Sequence, residues 1–282
     1  MGKKRHGQFS GVHGVHHLHS VHKVAEKKEE KFIKTYIPGF DSLILGGGVP
    51  VGSSVLVEGG PGSGKTIFCL NLAKNLCEHG KKVLYMSFEE PEARLIEHMK
   101  LFGANPDEYI KKKLLYVKRF NALDIARSVE ALLSEAKKEL LVDVQPVLIP
   151  RDFEPDIVLI DSLSSISSAF SGEENRFRIY MEQLFRYLEG HHMTSFLIRE
   201  VSNPTHIGGS FLERGEAVSF LSDGIIVLYN TFYKNGSRGR ALEILKMRGV
   251  EIDRKVVECE IKKGQGIIVY PDRPIKGNYT FT

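Results

Sequence analysis

Along this chain the spacing of apolar residues changes repeatedly, and each change marks an element. Val51 and Ser54 to Glu58 read as a strand, and Ile67 to Leu76 as a helix whose apolar stripe runs through Ile67, Leu70 and Leu72 to Ala73. Gly80-Lys81-Lys82 closes that helix, and Val83 to Phe88 predicts a second strand. Glu92 to Leu101 predicts a helix ended by Gly103, and Leu114 to Val117 a strand. Leu123 to Leu141 has the pattern of a long amphipathic helix, with Leu123, Ile125-Ala126, Val129, Leu132-Leu133 and Ala136 on one face. Residues 142–155, with Pro146, Pro150 and Pro155, read as an extended excursion. Asp156 to Ser162 carries an apolar run ending in an acid, the pattern of a parallel strand buried on both faces. Glu173 to Glu189 predicts a helix, and Met193 to Ile198 and Gly224 to Tyr229 two more buried strands, with a polar loop over 201–216 between them. Arg240 to Lys246, Lys255 to Ile261 and Gly266 to Tyr270 alternate and are separated by turn residues.

Strands alternating with helices predict an α/β fold: a mostly parallel central sheet with helices on both faces and a C-terminal antiparallel β extension. Ligand then belongs at the carboxyl ends of the strands. Gly59 to Thr66, Glu89-Glu90, Asp161 and Arg199-Glu200 all fall at such ends.

Composition narrows the picture. A chain of 282 residues suits one large α/β domain and is tight for two. Residues 1–31 hold seven Lys/Arg and three Asp/Glu, so they carry the whole formal charge of +4 and leave 32 of each sign in the remainder. A strong electrostatic footprint for nucleic acid is therefore not expected in the folded part. The same 31 residues hold His6, His13, His16, His17, His19 and His22 and few large apolar groups, so they read as a disordered tail ahead of a domain over 32–282. Cys69 and Cys77 share the first long helix, roughly 12 Å apart at ~1.5 Å per residue, beyond disulfide reach. With Cys259 they read as buried thiols of a reducing compartment. No apolar run is long enough to span a bilayer and the N-terminus lacks a signal-peptide pattern, so no membrane partner and a cytoplasmic location are expected.

Gly59-Gly60-Pro61-Gly62-Ser63-Gly64-Lys65-Thr66 fits GxxxxGK[ST] between a strand and a helix, the context that gives this motif its meaning. Glycines let bare N–H groups turn towards phosphates, and the helix N-terminus adds partial positive charge. With Ile67, which opens the helix stripe, these residues form the expected nucleotide-binding stretch. Lys65 would reach the outer phosphates and the Thr66 hydroxyl would ligate Mg²⁺. Asp161 matches the second acid of such sites, which holds the metal's hydration shell. Glu89 and Glu90 end the strand next in sequence, where a carboxylate can orient or deprotonate an attacking water. Residue order alone does not separate the pair; the reading leans to Glu89. Alternation puts Lys246 and Arg248 on one face of a strand end, which by itself is equally a solvated edge.

Taken together, these motifs resemble the KaiC-like branch of the RecA-fold ATPases. The likeness runs from about residue 35 to 270 through Ile37 to Asp41, Gly46 to Pro50, the glycine loop, Ser87 to Glu90, Ile160 to Leu163, Ser222 to Ile226 and Leu242 to Gly249. It implies a RecA-like P-loop NTPase fold and an ATPase that uses ATP and Mg²⁺. It further implies hexameric rings with nucleotide between subunits, in a regulatory or signalling setting. By the same resemblance Glu89 and Glu90 are the catalytic glutamates, and Lys246 and Arg248 reach the γ-phosphate of a neighbouring subunit. The clock protein that names the branch has two tandem copies and this chain has one, so its autokinase activity is not carried over to the Ser164-Ser165 and Ser167-Ser168 pairs. Two alternatives stand beside this reading. A recombinase-type, DNA-dependent ATPase would place DNA loops at about 163–178 and 201–216, neither of which is basic. A nucleotide-gated interaction module would bind without turnover.

Overall fold

The strand that feeds the glycine loop stands at the middle of the sheet. In the computed structural model, which describes residues 30–127, 149–150, 152–170, 173–201, 216–277 and 279–281, that strand is β3 (Ser54–Gly59), and every one of its residues is buried. The described residues from Lys31 onward fall in one compact unit. The expected N-terminal tail lies outside the described residues.

Ahead of β3, β1 (Phe32–Ile33) and β2 (Val49–Pro50) pair as a small separate ribbon. After it come α1 (Lys65–Glu78), β4 (Val83–Ser87), α2 (Glu92–Leu101), α3 (Pro106–Lys111), β5 (Leu115–Arg119), β6 (Ile157–Asp161), α4 (Leu163–Ala169), α5 (Glu174–Gly190), β7 (Thr194–Glu200) and α6 (Glu216–Leu221). The chain then runs through β8 (Gly224–Tyr233), β9 (Arg238–Met247), β10 (Val257–Lys262), β11 (Gly266–Pro274) and β12 (Tyr279–Phe281). The sheet order is β11-β10-β9-β8-β3-β7-β6-β4-β5, with β12 pairing β8. Pairing from β8 through β3, β7, β6 and β4 to β5 is parallel, and from β8 outward through β9, β10 and β11 antiparallel.

Buried strands alternate sides, and that sorts the core into two layers. Val55 and Val57 of β3 join Phe68, Leu72 and Leu76 of α1 and Leu95 and Met99 of α2 on one face. Leu56 joins Ile166 of α4, Tyr180, Met181, Leu184 and Leu188 of α5 and Val218 of α6 on the other. Helices therefore cover both faces, as the continuous apolar strands require.

Three expectations change. Residues 106–111 form a helix that the apolar spacing did not announce, started by Pro106 at its first turn with Asp107 and Glu108 behind it. The stretch after Asp161, offered above as a loop, turns straight into α4, because Ser162 caps it by accepting from the Ser165 N–H. The final strand β12 was not foreseen and pairs back on β8. Of the long helix expected over Leu123 to Leu141, residues 122–127 are helical and the rest lies outside the described residues.

Candidate functional site

The glycine loop is shaped by contacts that leave no room for a side chain. A Cβ on Gly59 would stand 2.4 Å from the Leu228 carbonyl oxygen and 2.5 Å from Ser63 Oγ, so only glycine lets the chain leave β3 here. Gly62 and Gly64 have φ of 71° and 106°, the left-handed region that glycine enters without a steric cost. Asn230 on β8 donates to the Pro61 carbonyl at 3.1 Å and props the loop from below. Gly64 begins the 14-residue α1 with no side-chain cap. The first N–H groups of that helix, which have no intrahelical acceptors, are thus left to an anion.

Lys65 Nζ donates to the carbonyls of Gly59 and Gly60, both at 2.9 Å, and so lies folded over the loop. Burial pulls its pKa down, while Glu200, Asp161 and Glu89 act to raise it. Thr66, one residue on, donates from its hydroxyl to Asp161 Oδ2 at 2.9 Å, and the Tyr85 hydroxyl donates to the same oxygen at 2.8 Å. Burial pushes the Asp161 carboxyl up to about 6, against those two hydrogen bonds and with Glu89 and Glu90 adding repulsion. A hydroxyl and a carboxylate in contact are hard oxygen donors, the set that Mg²⁺ prefers. Thr66 and Asp161 therefore fit the metal expected from the sequence.

The glutamate pair is divided by its surroundings. Phe88 N–H donates to the Asp161 carbonyl at 2.6 Å, which extends the β4–β6 pairing and brings Glu89 over the start of α4. Glu89 Oε1 accepts from Ser162 Oγ at 2.5 Å and from Ser165 Oγ at 2.9 Å. Glu90 turns the other way. Its N–H is held by Ser87 Oγ at 3.0 Å, and its Oε2 lies 3.7 Å from His98 Nδ1 of α2. At the end of β7, Glu200 N–H donates to Ser164 Oγ at 2.9 Å, which brings Glu200 to the same rim. The peptide bond between Asp161 and Ser162 is cis.

Lys246 and Arg248 are not part of this cluster. Lys246 Nζ donates to the carbonyls of Ser219 at 3.1 Å and Ser222 at 2.6 Å. Arg248 donates to the Phe220 carbonyl at 2.8 Å and to Asp223 Oδ1 at 3.2 Å. Asp223 exchanges hydrogen bonds with Ser54, at the first residue of β3, whereas the glycine loop follows its last. The length of β3, roughly 16 Å at ~3.3 Å per residue, separates the two cations from their own chain's loop. A β-bulge sets their direction: Lys246 pairs Ile225 and Ile244 pairs Ile226, so Leu245 is the extra residue. Leu242, Ile244 and Met247 face the α1 layer, and the bulge turns Lys246 and Arg248 to the α6 side.

Sequence reasoning placed the loop, Asp161 and the glutamates, and missed the hydroxyls that hold them. Ser162, Ser164 and Ser165 follow Asp161 directly, so their number beside an acid was the available signal. Tyr85 gave none, since it reads as one more buried strand residue. Of the stretches offered for DNA, 163–178 is helical on both sides of 171–172, and most of 201–216 lies outside the described residues.

Against known proteins, residues 33–274 match the family model described as "ATPase: KaiC". A UPF0273 protein of Thermotoga maritima is 30% identical over 256 residues, covering 88% of this chain and 99% of that protein. A circadian clock protein KaiC2 of Synechocystis is 30% identical over 226 residues, which cover 80% of this chain and 37% of that longer protein. Among solved structures, a KaiC-like protein of Pyrococcus horikoshii superposes with a TM-score of 0.66 at 29% identity, covering 85% of this chain and 99% of that one.

Proposed function

This chain belongs to the KaiC family of ATPases, and from that membership and the geometry of its site we propose that it binds and hydrolyses ATP as a ring. The observation that carries this reading is the meeting of three strand ends. The uncapped glycine loop, the Thr66–Asp161 pair and Glu89 lie together at the carboxyl edge of β3, β6 and β4.

Each group has a task. Loop amides and the first turn of α1 bind the phosphates, and Lys65 exchanges its two carbonyl acceptors for phosphate oxygens. Thr66 and Asp161 would hold Mg²⁺, which supplies charge to the leaving and transferred phosphates. Glu89 orients the attacking water and takes its proton; Ser162 and Ser165 fix the carboxylate for that task. Glu90, turned to His98, contributes charge rather than direct proton transfer.

The γ-phosphate still needs a cation, and Lys246 and Arg248 stand a strand's length from their own loop. They therefore serve a neighbouring copy, in a head-to-tail interface that closes into a ring, for which the family resemblance suggests six members. Turnover would then time or drive a conformational change in a regulatory or signalling role.

The test is phosphate release and molar mass on one sample, with and without ATP and Mg²⁺. Lys65→Ala is expected to lose nucleotide binding. Glu89→Gln is expected to keep it and lose turnover by about 10²-fold or more. Binding and assembly without phosphate release would instead support a nucleotide-gated module, and turnover that appears only with DNA a recombinase-type ATPase.

A further inference from the structure

Between the loop strand and the cation pair lies a polar path, starting from a buried carboxylate, that the reaction as described does not use. Glu58, the residue before Gly59, is fully buried on the α6 side of the sheet. Arg199 on β7 is paired with it across the β3–β7 ladder, and its Nε stands 3.5 Å from Glu58 Oε1. The same guanidinium donates from Nη1 to the Ser219 hydroxyl of α6 at 2.9 Å. Ser219 in turn accepts Lys246 Nζ on its carbonyl at 3.1 Å, while the next residue, Phe220, accepts Arg248 on its own.

Both cations thus rest on the C-terminal turn of α6, where the carbonyls lack intrahelical donors and the helix dipole is negative. That turn is held from two sides: Asp223, just beyond it, is bonded to Ser54 at the start of β3, and Ser219 within it accepts the Arg199 guanidinium. A charge-assisted bond from a rigid, planar guanidinium has the directionality for this; a lysine would span only one of the two partners.

We propose that Arg199 and Ser219 are positioning residues for the Lys246–Arg248 pair. They tie the strand that carries one subunit's phosphate loop to the cations that the same subunit offers to its neighbour. The inference rests on the reading of Lys246 and Arg248 as groups that act across an interface. Its consequence is that a defect at Arg199 or Ser219 is felt in the next subunit's site and leaves the subunit's own site intact.

Ser219→Ala is the sharpest probe. It removes the hydroxyl, keeps the carbonyl that Lys246 uses and leaves the buried Glu58–Arg199 pair untouched. Arg199→Lys is the companion variant, chosen because Arg199→Ala would strand a buried carboxylate and could unfold the protein. Expected for Ser219→Ala are nucleotide affinity within about twofold of wild type and kcat lower by about three- to tenfold, with Ser219→Thr restoring turnover. Mixed with Glu89→Gln, whose own site is silent but whose cations are intact, Ser219→Ala should regain turnover per competent site.

A parallel mixture of Arg248→Ala with Glu89→Gln separates the possible failures, with subunit exchange shown by labelled protein. Recovery of Arg248→Ala but not of Ser219→Ala overturns the positioning role and leaves the proposed function standing. No recovery of either removes the interface reading and this inference with it. Wild-type turnover in unmixed Ser219→Ala also overturns it.

Discussion

At the scale of single residues, the site divides groups that the sequence presents as equals. Glu89 and Glu90 are adjacent, yet Glu89 is held by two serine hydroxyls at the start of α4 and Glu90 faces His98. Glu90→Gln should accordingly reduce phosphate release far less than Glu89→Gln. Equal losses in a steady-state assay would show that the pair acts as a unit. Asp161 gives a pH prediction. Its carboxyl, at 3.8 in an unperturbed residue, is pushed to about 6 by burial. Between those values the folded, metal-free protein keeps a proton that the unfolded chain has released, so this group's contribution to stability falls as pH rises through the window. Melting temperatures in chelator should show Asp161→Asn gaining on wild type from about pH 4 to about pH 6 and holding level above. Parallel curves would contradict the shift. The loop and Asp161 were legible in the sequence because each chemistry demands a residue type at a fixed place after a strand. Tyr85 and Ser165 were not, because a buried hydroxyl's partner is chosen by tertiary packing.

At the scale of elements, the spacing of apolar residues located every parallel strand, since strands buried on both faces leave an uninterrupted signal. It gave no sign of α3 or α4, which are short and set by a proline and a serine cap. The bulge in β9 is the clearest case of structure outrunning pattern. Simple alternation already groups Lys246 with Arg248, but it also groups them with Leu242 and Ile244, which are core residues. The extra residue, Leu245, breaks that phase and frees the two cations from the apolar face. Deleting Leu245 removes the bulge but leaves Lys246 directly after Ile244, on the opposite face by plain alternation, so the pair is expected to keep its aim and the folded variant its phosphate release. Lost turnover in a folded deletion variant would show that the extra residue itself, and not the phase it sets, is what the pair needs. Gly59→Ala tests the other end of the sheet. Its Cβ would meet the Leu228 carbonyl oxygen at 2.4 Å, so the loop must shift, with an expected cost of about 1–3 kcal/mol in stability and a loss of nucleotide affinity.

At the scale of the whole molecule, the parallel sheet puts the glycine loop, Asp161 and Glu89 at one edge and Lys246 and Arg248 at the other. Under the proposed reading, such a protein completes its site when copies meet head to tail, an arrangement that the resemblance in sequence also implies. What the sequence did not show is that the two cations rest on α6, which Arg199 ties to the loop strand. The most direct test of the account mixes Lys65→Ala with Arg248→Ala, two variants expected to be silent alone for different reasons. Random mixing should return about a quarter of wild-type phosphate release, the share of interfaces that join an intact loop to an intact cation pair. Silence in the mixture, with subunit exchange demonstrated, would contradict a site shared between neighbours.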